Sequence, residues 1–227
     1  MPETIASEFV YVGDVMCSWC WGFAPTLEKL SENFQIPISV VNGGLRPGPD
    51  AEVLDDRMAE FLGQHWLHVS EASGQPFDRT FLERRDGWRY DTELPAIAVT
   101  MMRRTAPDET LRFFSSLQRA FYADGVDVTD PAEYAQLLSG FPVDREAFVE
   151  EMQGTDAKWA AWEDFEAARG MGVAGFPALL LRLDDRLAMV TRGYAPYDQL
   201  EMPLVDFLRD QIGQESLGTV CSIDGVC

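Results

Sequence analysis

The chain has 227 residues, 46% hydrophobic and 11% aromatic, enough for one large domain or a domain carrying an insertion. Eighteen Lys and Arg against 38 Asp and Glu give a net charge of -20, a field that repels phosphate backbones and anionic lipid, so nucleic acid and membrane surfaces are poor partners. No apolar run approaches the roughly 20 residues of a membrane span, and Met1 to Glu8 lacks a basic segment followed by an apolar one, so no signal peptide is read and a cytoplasmic location is expected.

Phe9 to Val12, bounded by Gly13-Asp14, predicts a strand buried on both faces. Cys17-Ser18-Trp19-Cys20 follows, then a helical stretch to about Asn33 with Ala24, Leu27, Leu30 and Phe34 as its inner stripe. Ile36 to Val41 is the next strand, closed by the turn-prone Asn42-Gly43-Gly44. Strand, helix and strand in so short a span predict a right-handed βαβ unit with parallel pairing.

From Pro47 to Gly172 the pattern is helical. Leu54, Met58, Phe61, Leu62 and Val69 share one face of a first helix, and Leu94 to Arg104 form another with Pro95 in its first turn. Asp108, Asp130-Pro131, Asp144 and Thr155 or Asp156 are expected to open the helices that follow. Ala178 to Leu181 and Leu187 to Val190 flank Asp184-Asp185 as an antiparallel hairpin, and a helix from about Tyr197 to Gln211 closes the fold. The expected organisation is an α/β domain of residues 1–46 and 173–217 in the order βαβ…ββα. A large all-helical insertion at 47–172 interrupts it, and a tail at 218–227 follows.

Four cysteines are too few for a disulfide scaffold, and in a reducing compartment a close pair is catalytic or metal-binding. Cys17 and Cys20 lie just after a strand and at the start of a helix, whose free N–H groups and macrodipole favour the attacking thiolate. Two intervening residues let a mixed disulfide at Cys17 be resolved by Cys20, with Cys17 the exposed nucleophile and Cys20 deeper in the first turn. Half a zinc site or two buried thiols would carry the same letters. Against them stand the strand-to-helix context and the absence of a second such pair, so no metal is assigned.

Cys17-Ser18-Trp19-Cys20-Trp21-Gly22-Phe23-Ala24-Pro25 resembles the active-site helix of thioredoxin-fold proteins, including the helix proline. Gly172 to Leu179 resembles the segment where that superfamily places a cis-proline beside the redox pair. The helical insertion is similar to that of the DsbA family, and the start Asp-x-x-Cys-x-Trp-Cys-Trp to its cytosolic FrnE-like branch. The resemblance implies a thioredoxin-like fold and protein disulfide oxidoreductase or isomerase chemistry, with no cofactor. It implies further that Pro177 is the cis-proline and that the Phe176 backbone pairs with an extended substrate strand. Ser18-Trp19 replaces the histidine that periplasmic DsbA carries between its cysteines, and no Lys, Arg or His lies between Met16 and Glu28, so a milder oxidant is expected.

Trp19 is expected to be exposed and to line an apolar groove for unfolded peptide, and Asp14 to cap the active-site turn or relay protons to Cys20. Cys221 and Cys227 read as a second redox pair, comparable with a C-terminal pair in FrnE-like proteins, as inert thiols, or as zinc ligands with the first pair. His65 and His68 lack a third ligand and read as partly buried or surface histidines. The expected partners are protein or peptide thiols and disulfides, with glutathione as a further candidate. A glutathione-dependent transferase or isomerase and a zinc-binding or chaperone-like module are the alternative functions.

Overall fold

The computed structural model describes residues 7–84 and 86–218, with side chains to residue 210, and among these no helix is long and apolar enough to cross a membrane. Strand β1 (Ser7–Gly13) carries side chains into two layers. Phe9 and Tyr11 join Leu27, Leu30, Phe114, Leu179 and Leu181, whereas Val10 and Val12 join Ala168, Val173, Ala178 and Leu180. That two-sided burial matches the apolar run read as a fully buried strand. Helix α1 (Ser18–Phe34) stops at Gln35, which adopts a left-handed conformation with φ 53°. Strand β2 (Ile38–Asn42) then pairs parallel with β1, Phe9 opposite Ile38 and Gly13 opposite Asn42.

Pro25 sits inside α1 and supplies no N–H to the Trp21 carbonyl one turn earlier. The Gln75 side-chain amide donates to that carbonyl instead, at 3.0 Å, and the Trp21 indole N–H donates to the Pro76 carbonyl at 3.0 Å. The active-site helix is thus braced from outside where its own hydrogen-bond ladder is broken.

The chain then runs through β3 (Glu52–Val53), α2 (Asp56–Ser73), β4 (Arg89–Tyr90), α3 (Glu93–Thr105), α4 (Thr110–Tyr122), α5 (Tyr134–Leu137), α6 (Arg145–Met152) and α7 (Thr155–Gly170). It returns as β5 (Ala178–Leu183), β6 (Arg186–Arg192) and α8 (Tyr197–Gly218), which extends beyond the expected end at Gln211. The four-stranded sheet has the order β2-β1-β5-β6, with β5 antiparallel to both neighbours. This is the expected βαβ…ββα arrangement. Its long excursion also holds a small ribbon, β3 with β4, where Glu52 faces Tyr90. Asp144 caps α6 through the N–H groups of Glu146 and Ala147. Asp108 does not cap α4: Pro107 starts a short 3-10 turn that contains it, and the helix follows at Thr110.

A buried polar knot fixes the far end of β2. The Asn42 side-chain amide donates to Asp164 at 2.8 Å and to the Thr100 hydroxyl at 3.0 Å. Arg103 donates twice to the same carboxylate, at 2.9 and 2.7 Å, and to the Val40 carbonyl at 2.7 Å. β2, α3 and α7 are thereby locked together just before the Gly43-Gly44 turn. That turn needs its glycines. A Cβ on Gly43 would stand 2.1 Å from the Phe176 ring, and one on Gly44 would stand 2.8 Å from the Phe165 ring.

Candidate active site

β1 delivers the chain to a tight turn in which Cys17 becomes the N-cap residue of α1 and its N–H donates to the Asp14 carbonyl at 3.1 Å. The Asp14 side chain is buried and accepts two main-chain N–H groups, from Met16 at 2.9 Å and from Leu45 at 2.8 Å. Asp14 therefore does hold the turn, and it also ties the turn to the segment after β2. Burial lifts its carboxyl to about 6, with the Leu45 and Met16 donors and the charge of Arg46 opposing the rise.

A carboxyl whose pKa is higher folded than unfolded binds more protons in the native state, so its contribution to stability is intact at low pH and is lost as pH rises from about 4 through 6. Between pH 4 and pH 7 the wild-type protein is expected to lose about 2.5 kcal/mol more than Asp14→Asn in urea unfolding. A difference between the two proteins that stays constant with pH would contradict this.

Cys17 is only 8% exposed and Cys20 not at all. The nucleophile position is thus far more covered than a free helix start implies, because the loop before β5 folds over it: the Cys17 Sγ lies 3.8 Å from the Phe176 carbonyl oxygen. The Phe176–Pro177 peptide bond is cis. The Pro177 carbonyl accepts from the Gly193 N–H at 2.7 Å, which fixes the loop against the end of β6. Beside it opens a groove of about 300 Å³, lined by Val173, Phe176, Met189 and Gly193 among others.

Trp19 is half-buried, not exposed as expected, because three rings from elsewhere enclose it. His65 and His68 of α2 meet the indole edge-on at 5.9 and 5.6 Å, and Tyr194 lies against it at 5.2 Å. Phe61, more than half exposed, stacks on His65 at 5.6 Å. Burial, and then the proximity of His68, lowers the His65 pKa below the ordinary imidazole value. The two histidines are thus part of an aromatic rim around the residue between the cysteines. Their spacing put them on one helix face, but only the packing of α2 on α1 shows what that face meets.

Beneath the turn lie three tyrosines that the motif reading passed over. The Tyr90 hydroxyl donates to the Met16 carbonyl and lies 3.3 Å from the Tyr122 hydroxyl. Tyr11 of β1 stacks its ring on Phe23 of α1, three residues after Cys20. A hydroxyl-bearing residue in a strand buried on both faces was the available signal for it. Burial pushes the Cys20 thiol well above its ordinary range, and the adjacent Cys17 adds to the rise. The chain near the cysteines holds no cation, yet the fold brings Arg46 over the Tyr90 ring at 5.5 Å, already paired with Glu52 at 2.8 Å. Cys221 and Cys227 lie outside the described residues. Among the described residues, no group of three or more His, Cys, Asp or Glu is arranged to hold a metal ion.

Residues 9–204 match the model of the DSBA-like thioredoxin domain. No curated protein matches the chain. Among solved structures, it is similar to a protein from Nitrosomonas europaea provisionally described as a protein disulfide isomerase. That pair is 29% identical with a TM-score of 0.80, covering 90% of this chain and 98% of the other. The cytosolic disulfide reductase DsbM from Pseudomonas aeruginosa, also solved with GSH, is 21% identical with a TM-score of 0.72, over 91% and 99% of the two chains. BdbD from Bacillus subtilis is 14% identical with a TM-score of 0.61, over 91% and 90%.

Proposed function

We propose, from the premise that this chain belongs to the DSBA-like thioredoxin domain family, that it exchanges disulfides with protein or peptide substrates through Cys17 and Cys20. The observation that carries this reading is the Cys17 sulfur at the α1 N-terminus, 3.8 Å from the Phe176 carbonyl, with Cys20 fully buried behind it. Cys17 attacks, or is attacked, because its sulfur is the less covered of the two and stands at the positive end of the helix. Cys20 closes onto Cys17 and releases the partner thiol.

The Phe176 main chain aligns an extended peptide by strand addition, and the adjoining groove takes an apolar side chain next to the substrate cysteine. The rim of Trp19, Tyr194 and Phe61 supplies further apolar contact. In this reading residues 1–46 and 173–217 form the catalytic domain, and the insertion at 47–172 braces α1 and adds Phe61, His65 and His68 to the rim. Net reduction in the cytoplasm with glutathione as reductant is favoured over isomerisation. The similarity to DsbM, a cytosolic disulfide reductase also solved with GSH, supports that choice. The test is insulin reduction driven by glutathione: turnover well above the uncatalysed rate is expected, and a rate equal to that of glutathione alone would sink the proposal.

A further inference from the structure

Tyr11 lies in the middle of β1 with its side chain fully buried. Its ring is clamped, stacked on Phe23 at 6.1 Å and edge-on to Phe114 at 5.6 Å. It also curls back over the strand end. A Cβ on Gly13 would stand 2.5 Å from the Tyr11 hydroxyl oxygen and 2.6 Å from Cζ, so the ring holds this position only because residue 13 is glycine. The hydroxyl so placed makes no hydrogen bond among the described residues, to sulfur included. A buried hydroxyl left in that state is costly, and it calls for an explanation. The ring it stacks on, Phe23, lies on α1 three residues after Cys20, whose side chain has no exposure to solvent, and the Tyr11 hydroxyl and the Cys20 thiol influence each other's ionisation.

We propose that Tyr11 is a positioning residue for Cys20, its hydroxyl donating a hydrogen bond to the Cys20 sulfur as that sulfur takes on negative charge. The assignment rests on the disulfide-exchange reading above. In the step concerned, the Cys17–partner mixed disulfide is attacked by Cys20. The Cys17–Cys20 bond forms, the bond from Cys17 to the partner sulfur breaks, and the partner leaves as a thiolate that takes up the Cys20 proton. The partner sulfur is reduced and the protein pair oxidised. Charge therefore appears on Cys20 in a place closed to water.

Burial and Cys17 both disfavour that charge, whereas Tyr11 acts in the opposite direction. Burial also keeps the Tyr11 proton on its oxygen, so the group donates without giving the proton up. Asp14 is less suited to this task. Its two carboxylate oxygens are taken by the Met16 and Leu45 N–H groups, and it reaches Cys20 through its main chain.

The test uses the full chain and oxidised glutathione as the probe, with the Cys17–glutathione mixed disulfide quenched in acid and followed by mass. Tyr11→Phe keeps the ring and removes the oxygen, so its melting temperature is expected to equal or exceed that of the wild type. Closure of the mixed disulfide is expected to slow about tenfold, the loss of one hydrogen bond to a charged group, and its pH profile to move to higher pH. Gly13→Ala, which crowds the same hydroxyl from the strand side, is expected to slow closure in the same way, with no further loss in the double variant. In a Cys20→Ser background, alkylation of Cys17 by iodoacetamide is expected to proceed equally with Tyr or Phe at position 11. Closure at the wild-type rate and pH profile in Tyr11→Phe would overturn the proposal, and so would an equal slowing of Cys17 alkylation. If the wild-type protein formed no mixed disulfide at all, the disulfide-exchange reading itself would fall.

Discussion

Cys17→Ser is expected to lower glutathione-driven insulin reduction by at least about a thousandfold, to the level of the uncatalysed reaction. The reason is chemical and not steric. A serine hydroxyl stays protonated at neutral pH at the end of any helix, and it cannot hold a sulfur–sulfur bond. The replacement conserves volume at a site 8% exposed whose polar side-chain contact is the long one to the Phe176 carbonyl, so the fold is expected to be unchanged by circular dichroism and melting. A residual rate within about tenfold of wild type would move the nucleophile elsewhere, to Cys20 or to the tail thiols Cys221 and Cys227.

Cys20→Ser is expected to behave differently. Cys17 keeps its place at the start of α1, so attack on the substrate disulfide proceeds, but the intramolecular thiol that completes the exchange is gone. Held one helical turn away, that thiol acts at an effective concentration far above any free thiol in solution. Its loss is expected to cost about a hundredfold in turnover and to leave substrate linked to Cys17. The adduct is read by mass under non-reducing conditions. Full turnover without any adduct would favour glutathione-dependent transfer, in which the second cysteine has no part.

The fold was legible because its signals are local. The apolar run at Phe9 to Val12, the Asn42-Gly43-Gly44 turn and the Asp184-Asp185 hairpin each announce their own element, and the structure has them. Of the site, the sequence named Cys17, Cys20, Asp14, Phe176 and Pro177, and the fold brings them together around one turn. The coverage was not legible. Cys17 is overlaid by a loop about 160 positions later, and Trp19 is enclosed by α2 and Tyr194, contacts that depend on how the excursion docks. Gln75 meets the Trp21 carbonyl that Pro25 leaves open, a consequence of Pro25 that spacing cannot assign to a particular partner. Tyr11 and Tyr90 carry no motif, since nothing in a strand pattern says which hydroxyl ends beneath the active-site turn.

The most direct measurement is the redox equilibrium of the wild-type chain in graded mixtures of reduced and oxidised glutathione, with the cysteine linkages mapped by peptide mass after acid quenching. A single two-electron transition is expected, in which Cys17 and Cys20 join to each other at the oxidising end and are both free at the reducing end. If those two residues remained unlinked across the whole range, or joined only to other cysteines, disulfide exchange through this pair would be contradicted.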